Sequence, residues 1–290
     1  MGINKSNTQV SAIYRGNLQV TKVFKGLTLV YPNASVATSD EQLFFNALID
    51  LNQIQKDAIS TLVNELKNNN LWVKMNAIYP FVGGTAFMHK FNLKDPRDSD
   101  SAFRLIFNGT VAHDLNGIKG TNAYANTYLA PSASMVNNST HVSIYSKTNV
   151  AGDFIDIGCN STTDFSPRIV MHTKWSDSNS YFDMNNASNG RLTLNTVSDT
   201  LGFLLMSRIA SNDLSVYKNN ALLGKSTTVN ASILPDKPFY LMNANSFDTS
   251  NFYSPRQLAF VSIGSGLNSV EAANLYTAIQ NFQTSLSRQV

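Results

Sequence analysis

The sequence is poor in charge and nearly devoid of cysteine and glutamate. Cys159 is the one cysteine among 290 residues, which excludes an internal disulfide framework and any zinc site built on cysteines. It sits in the apolar alternation Ile155, Ile157, Cys159, which predicts a small buried hydrophobe. Charged residues make up only 14% of the chain, against about 25% in an average soluble domain. Asn, Ser and Thr take their place, and that composition favours sheet faces and polar loops over long solvated helices. The net charge is +3, but no run of Lys and Arg stands out, so the basic stripe of a nucleic-acid binder is missing. No stretch approaches the ~18 apolar residues of a membrane-spanning helix. The N-terminus lacks the apolar core of a signal peptide, although Met1-Gly2-Ile3-Asn4-Lys5-Ser6 fits the permissive myristoylation pattern.

The shortage of glutamate bears on catalysis. The three glutamates, Glu41, Glu65 and Glu271, all fall in segments of helical periodicity, so residues 72–267 contain none. A glycosidase needs two carboxylates flanking the bond at roughly 5–9 Å. Asp153/Asp156 and Asp177/Asp183 are the remaining candidate pairs, and all four read more simply as loop or turn residues. His89, His113, His141 and His172 are widely spaced and lack metal-ligand spacing. Neither a Gly-x-Ser-x-Gly elbow nor a reactive-cysteine signature occurs. Gly224-Lys225-Ser226 has Asn219 where a phosphate loop needs its first glycine. Gly264-Ser265-Gly266 has Ser269 where a dinucleotide fingerprint needs its third small residue. These absences predict a protein that is not an enzyme and carries no cofactor.

What is present divides the chain into three pieces. Residues 1–33 hold a tandem repeat: Ile13-Tyr14-Arg15-Gly16-Asn17-Leu18-Gln19-Val20 returns ten residues later as Val23-Phe24-Lys25-Gly26-Leu27-Thr28-Leu29-Val30. Each copy reads apolar, aromatic, basic, Gly and then alternation, the pattern of a tight hairpin. Isolated hairpins are marginal in water, so this segment is expected to dock on another chain. Ile13, Tyr14, Gly16, Val23, Phe24, Gly26 and Val30 are its candidate contacts. Residues 34–70 show helical spacing. Ser39/Gln42 and Asn52/Gln55 are capping-box signatures. The stripes Leu43, Phe44, Ala47, Leu48 and Ile54, Ala58, Ile59, Leu62, Val63, Leu66 follow them, and Asn68-Asn69-Asn70 stops the second helix.

Residues 71–267 read as short strands between Asn/Gly/Ser turns, which indicates an antiparallel β-sandwich or jelly roll. Phe103 to Phe107 is closed by Asn108-Gly109. Further strands are Val142 to Ser146, Phe154 to Gly158, Arg168 to Lys174, Gly202 to Ala210, Leu214 to Lys218, Phe239 to Asn243 and Gln257 to Ile263. A last helix spans 268–288, with Asn268 as cap, Glu271 at its third position and Arg288 complementing the dipole in the last turn. Among the many aromatics, Tyr124, Tyr128 and Tyr253 are the candidates for stacking on sugar rings.

Leu71 to Gly84, Phe91 to Asp98, Phe260 to Gly264 and Glu271 to Tyr276 resemble segments of a family of bacteriophage virion proteins, over roughly residues 52–290. The repeat at 13–31 is similar to N-terminal stubs in phages of Bacteroidetes-type bacteria. The resemblance implies a concanavalin-like, laminin-G-type sandwich over 71–290, flanked by helices. It implies a head- or tail-associated virion component, a decoration or fibre, joined to other virion proteins through residues 1–33. Homo-oligomers are the expectation for such components. The resemblance also makes a rim calcium site possible, with Asp98 and Asp100 as its carboxylates. The alternative expectation is an adhesin that binds host-surface carbohydrate. Deleting residues 1–33 is expected to abolish incorporation into particles while the remaining body stays folded, and normal incorporation of that truncation would refute the docking role.

Overall fold

The computed structural model describes residues 38–185, 190–228, 233–248 and 251–290, and the backbone of four short strands before them. The chain divides into two units, Met1–Ser39 and Asp40–Val290. In the first, β1 (Tyr14–Arg15) pairs antiparallel with β2 (Leu18–Gln19), and β3 (Val23–Lys25) pairs antiparallel with β4 (Thr28–Tyr31). Each copy of the repeat therefore contributes its own strand pair. Of the expected docking residues, Tyr14, Val23, Phe24 and Val30 lie on these strands, and Ile13, Gly16 and Gly26 lie outside the described residues.

The second unit is mainly β. It begins with α1 (Asp40–Ala47), α2 (Gln53–Asn68), β5 (Met75–Tyr79), α3 (Ala86–His89), β6 (Ile106–Asp114), β7 (Gly117–Asn126), α4 (Pro131–Ser134) and β8 (Thr140–Ser146). There follow β9 (Ile157–Asn160), β10 (Arg168–His172), β11 (Ser180–Met184), β12 (Leu192–Leu194), β13 (Gly202–Ala210), β14 (Asp213–Lys218) and β15 (Ala221–Ser226). Last come β16 (Tyr240–Leu241), β17 (Ala244–Asn245), β18 (Leu258–Gly264) and α5 (Ser269–Ser285). Its fourteen strands form one sheet in the order β12-β11-β10-β9-β16-β7-β18-β8-β13-β14-β15, with β5 on β18, β6 on β7 and β17 on β9. The named strands pair antiparallel except β17, which runs parallel to β9.

The sheet folds over on itself. Ile169 and Met171 of β10, Phe182 and Met184 of β11, Leu204 and Met206 of β13, and Val261 and Ile263 of β18 share one buried core. Strands far apart in the sheet order thus face each other across the same apolar interior. The two ends meet, for a Cβ on Gly224 of β15 would lie 2.6 Å from the Leu194 side chain of β12. Cys159 is buried in this core, and burial pushes its thiol pKa up. A second core lies on the opposite face of β8, β13 and β18. There Tyr145, Phe203 and Phe260 meet Ile59, Leu62 and Leu66 of α2 and Leu275, Ile279 and Phe282 of α5. This explains why β18 is apolar except for Ser262: all seven of its residues are buried, one face against each core. Fully burying a side chain such as Leu62 contributes about 1.5–3 kcal/mol.

Local signals hold where they depend on neighbouring residues. Asn52/Gln55 and Asn268/Glu271 both form reciprocal capping boxes, and α2 ends at Asn68. The two-residue turn Asn219-Asn220 joins β14 to β15, with Asn219 at φ +43°. Four expectations need correction. Asn108-Gly109 does not close a strand. It is a bulge inside β6, where the register to β7 shifts, and the glycine supplies φ +80°. Arg288 lies beyond α5 and is buried, donating to the carbonyls of Pro80, Phe81 and Ala259; it anchors the tail rather than the dipole. Leu43 and Ile54 are exposed, so the buried stripes are narrower than their spacing suggests. Asp98 and Asp100 hold no cation cradle between them. Asp98 pairs with Lys90 and Arg104 at 2.7 Å each, and Asp100 pairs with Arg104 at 3.0 Å.

Three histidines are buried in neutral form. His141 donates from Nδ1 to the Ser265 carbonyl at 2.6 Å and accepts at Nε2 from the Ser262 hydroxyl at 3.1 Å. His89 accepts the Gly84 N–H at Nε2, which leaves Nδ1–H to donate to His113 Nδ1 at 3.1 Å. Burial pushes His141 down to about 4, and His89 and His172 down to about 3. The folded chain keeps these rings neutral where the unfolded chain protonates them. Stability is therefore full above the ordinary histidine value of about 6.5 and falls below it, by at most about 1.4 kcal/mol per pH unit for each ring. The denaturant midpoint is expected to drop between about pH 6.5 and pH 5, a window above the carboxylate range; a flat midpoint there would show that these rings are not held neutral.

Candidate functional site

Strand alternation sends successive side chains to opposite faces. On β10, Ile169 and Met171 enter the core, so Arg168, Val170 and His172 face outward. On β11, Phe182 and Met184 enter the core, leaving Tyr181 and Asp183 outside. The register sets His172 opposite Tyr181, Val170 opposite Asp183, and Arg168 opposite Asn160 of β9. Arg191, just before β12, joins this outer face. The result is a cleft of about 320 Å³, within the range of small-ligand sites.

One wall is aromatic. Trp175 lies edge-on to His172 at 4.8 Å and 79°, and tilts against Phe252 at 5.4 Å. Tyr181 carries the Arg191 guanidinium 4.9 Å above its ring. The other wall is polar. Asp183 is fully buried beneath it and receives Arg168 at 2.9 Å and Arg191 at 2.7 Å. Three polar atoms of lining residues have no hydrogen-bond partner among the described residues: Asn160 Oδ1, Arg168 Nε and His172 Nδ1. Asn160 and His172 are 3% and 8% exposed. Buried polar atoms are nearly always paired within a protein, and these three belong to residues of one cleft. Burial lowers the His172 pKa most, and the charges of Arg191 and Arg168 lower it further. The ring is thus a neutral hydrogen-bonding group at ordinary pH.

A second cleft of about 340 Å³ shares Ala244 and Ser246 with the first. Tyr124 and Tyr253 both line it, and Tyr124 stacks on Tyr240 at 4.1 Å and 14°. The structure thus brings together two of the three tyrosines expected to meet sugars. Tyr128 is exposed and lines neither cleft. Sequence reasoning missed Arg168, Trp175, Tyr181, Arg191 and Phe252. The outward alternation of Arg168 and His172, facing a similar alternation of Tyr181 and Asp183, was the signal available.

The loops that carry the aromatic wall hang on one buried ion pair. Arg256 Nη1 donates to both oxygens of Asp156 at 2.9 and 2.8 Å, and neither residue is exposed. The same guanidinium donates to the carbonyls of Val150 and Lys174. Asp156 also accepts from the hydroxyls of Thr173 and Ser254. These bonds tie together the residues beside Trp175 and Phe252. Of the aspartates considered as catalytic pairs, Asp156 is therefore held by arginine, as is Asp183. Asp153 accepts from Ser176, and Asp177 from Tyr181.

No family model matches the chain, and no curated protein matches it. The similar solved structures are distant in sequence. Domain 4 of AbnA, a GH43 extracellular arabinanase from Geobacillus stearothermophilus in complex with arabinotriose, is 15% identical, with a TM-score of 0.47 over 70% of this chain and 98% of that one. The Trypanosoma rangeli sialidase in complex with 2,3-difluorosialic acid is 12% identical, with a TM-score of 0.49 over 79% of this chain and 40% of that one. The botulinum neurotoxin serotype D binding domain is 11% identical, with a TM-score of 0.47 over 71% of this chain and 52% of that one. The chain thus spans less than half of the sialidase and about half of the toxin domain. The expectation that the chain is not an enzyme is corrected here. An arabinanase domain and a sialidase stand among the structures similar to it. The likeness assigns no activity to this chain.

Removing either partner of the buried pair strands the other's charge. Arg256→Met and Asp156→Asn are each expected to lower unfolding stability by about 3–5 kcal/mol, measured by denaturant titration. A loss below about 1 kcal/mol would show that the pair does not hold these loops.

Proposed function

We propose that the chain binds carbohydrate through the first cleft, on the outer face of β9, β10 and β11, and the second cleft beside it, lined from β7, β16 and β17. The observation that carries this reading is a single cleft that sets the aromatic rings of Trp175, Tyr181 and Phe252 beside the polar side chains of Asn160, Arg168, His172 and Arg191. A sugar ring suits both walls. Its C–H faces pack on amphipathic aromatic rings, and its hydroxyls donate and accept in turn, matching an amide oxygen, a guanidinium N–H and a neutral imidazole nitrogen. Trp175 and Phe252 would receive a ring face. Tyr124 and Tyr253 would meet a further residue of the saccharide in the second cleft.

The wider setting belongs to the same proposal. The tandem repeat and the virion-family resemblance support residues 1–33 as a docking segment and a place on a phage particle. In that setting the body presents its clefts to glycans of the host surface. The antiparallel sheet folded over a shared core supports its assignment to the concanavalin-like sandwiches.

Trp175 is half-buried and belongs to neither large core, so its truncation removes a contact without opening a core. Trp175→Ala is expected to weaken glycan binding at least tenfold in titration calorimetry of the full chain, with an unchanged melting temperature. Binding that survives Trp175→Ala unaltered, or no binding across a broad glycan array, would sink the reading.

A further inference from the structure

We infer that the first cleft takes an acidic saccharide, seating its anionic substituent, a carboxylate or a sulfate ester, against Arg168 and Arg191. This rests on the carbohydrate reading and names the ligand class within it.

Two guanidinium groups converge on the single carboxylate of Asp183. That arrangement satisfies one arginine and leaves an excess positive charge at the cleft wall. The division between the two is uneven. Arg191 gives Nε and Nη2 to the carboxylate, at 2.9 and 2.7 Å. Arg168 reaches it through Nη2, and its Nε is buried with no partner among the described residues. Burial holds the Arg168 pKa below the usual arginine range despite Asp183. Arg191, burial notwithstanding, is held above that range by its bonds to Asp183. Arg168 is therefore the less compensated cation, and a second anion would relieve it.

The surroundings fit this assignment. His172, next to both arginines, is kept neutral and adds no competing charge. The nearest other buried carboxylate, Asp156, is already held by Arg256. A planar guanidinium matches a carboxylate or sulfate with paired N–H donors. Part of the surrounding wall is desolvated, which strengthens such a contact relative to one in open water.

The test uses the full chain and an array of oligosaccharides in which each uronate, sialylated or sulfated glycan is printed beside its neutral parent. At least one acidic member is expected to bind about tenfold or more tightly than its parent, the scale of a charged hydrogen bond. The uronate and sulfate arms tell which anion the wall prefers. In calorimetry, raising salt from about 0.05 M to about 0.5 M is expected to weaken the acidic ligand and leave a neutral one unchanged. Arg191→Gln is expected to bring acidic binding down to the neutral level. Because that variant also touches Asp183, the salt series on the unaltered protein stands as an independent readout. If neutral parents bind as tightly as their acidic partners, and salt has no effect, the acidic assignment is overturned while carbohydrate binding stands. If neither kind binds, the carbohydrate reading itself fails, and the assignment with it.

Discussion

The Asp156–Arg256 pair is the constraint on which the face with the candidate site depends. A fully buried carboxylate and guanidinium are each costly to remove from water, and the cost is offset only if every donor and acceptor is used. Here Asp156 receives Arg256, Thr173 and Ser254, while Arg256 also reaches the carbonyls of Val150 and Lys174. The participants come from four separate stretches of chain: the loop after β8, the approach to β9, the exit from β10 and the approach to β18. An apolar cluster could hold these stretches together, but it would not fix their register. Directional bonds to two main-chain carbonyls do fix it. Trp175 follows immediately after Thr173 and Lys174, and Phe252 lies two residues before Ser254. The aromatic wall thus inherits its position from a charge pair that touches no ligand.

The same pair explains a place where sequence pattern and structure part. The alternation from Phe154 to Gly158 reads as one strand, yet β9 begins only at Ile157. Asp156 is turned inward to Arg256, and Ile155 bridges to Tyr253 instead of continuing the ladder. A period-two count sees Asp156 as an outward polar residue. What makes it an inward one is a guanidinium a hundred residues away. Elements fixed by neighbours were legible: the capping boxes at Asn52 and Asn268 and the stop of α2 at Asn69. Elements fixed at long range were not. Arg288 reads as a helix-end cation, and only the tertiary fold reveals the carbonyls of Pro80, Phe81 and Ala259 around it. Asn108-Gly109 reads as a turn, and only the pairing with β7 makes it a bulge.

The candidate site was legible in the same uneven way. Tyrosines are conspicuous as amphipathic rings, and two of the three singled out do share a cleft. Arg168, His172 and Arg191 carry no local signature. Their meaning lies in cross-strand register, which places Arg168 beside Asn160 and both arginines on Asp183. The buried Asp183 looks, in sequence, like half of a catalytic pair. In the fold it is the shared counter-ion of two arginines.

The position of the clefts follows from how the sheet is clothed. One outer surface, on β8, β13 and β18, carries the buried rings of Tyr145, Phe203 and Phe260 with a few hydrogen-bonded polar residues (His141, Ser143, Ser207 and Ser262) and lies under α2 and α5. The other outer surface, on β9, β10 and β11, bears Asn160, Arg168, His172, Tyr181 and Asp183, and the residues lining its cleft come from strands and loops alone. A polar, half-desolvated sheet face gains little by burying itself under a helix, because a helix has no free backbone donors along its side to satisfy such groups. A ligand rich in hydroxyls has them. The sequence difference between the two outer faces, largely apolar at one and polar-aromatic at the other, therefore decides which surface the chain covers with its own helices and which it leaves uncovered by them.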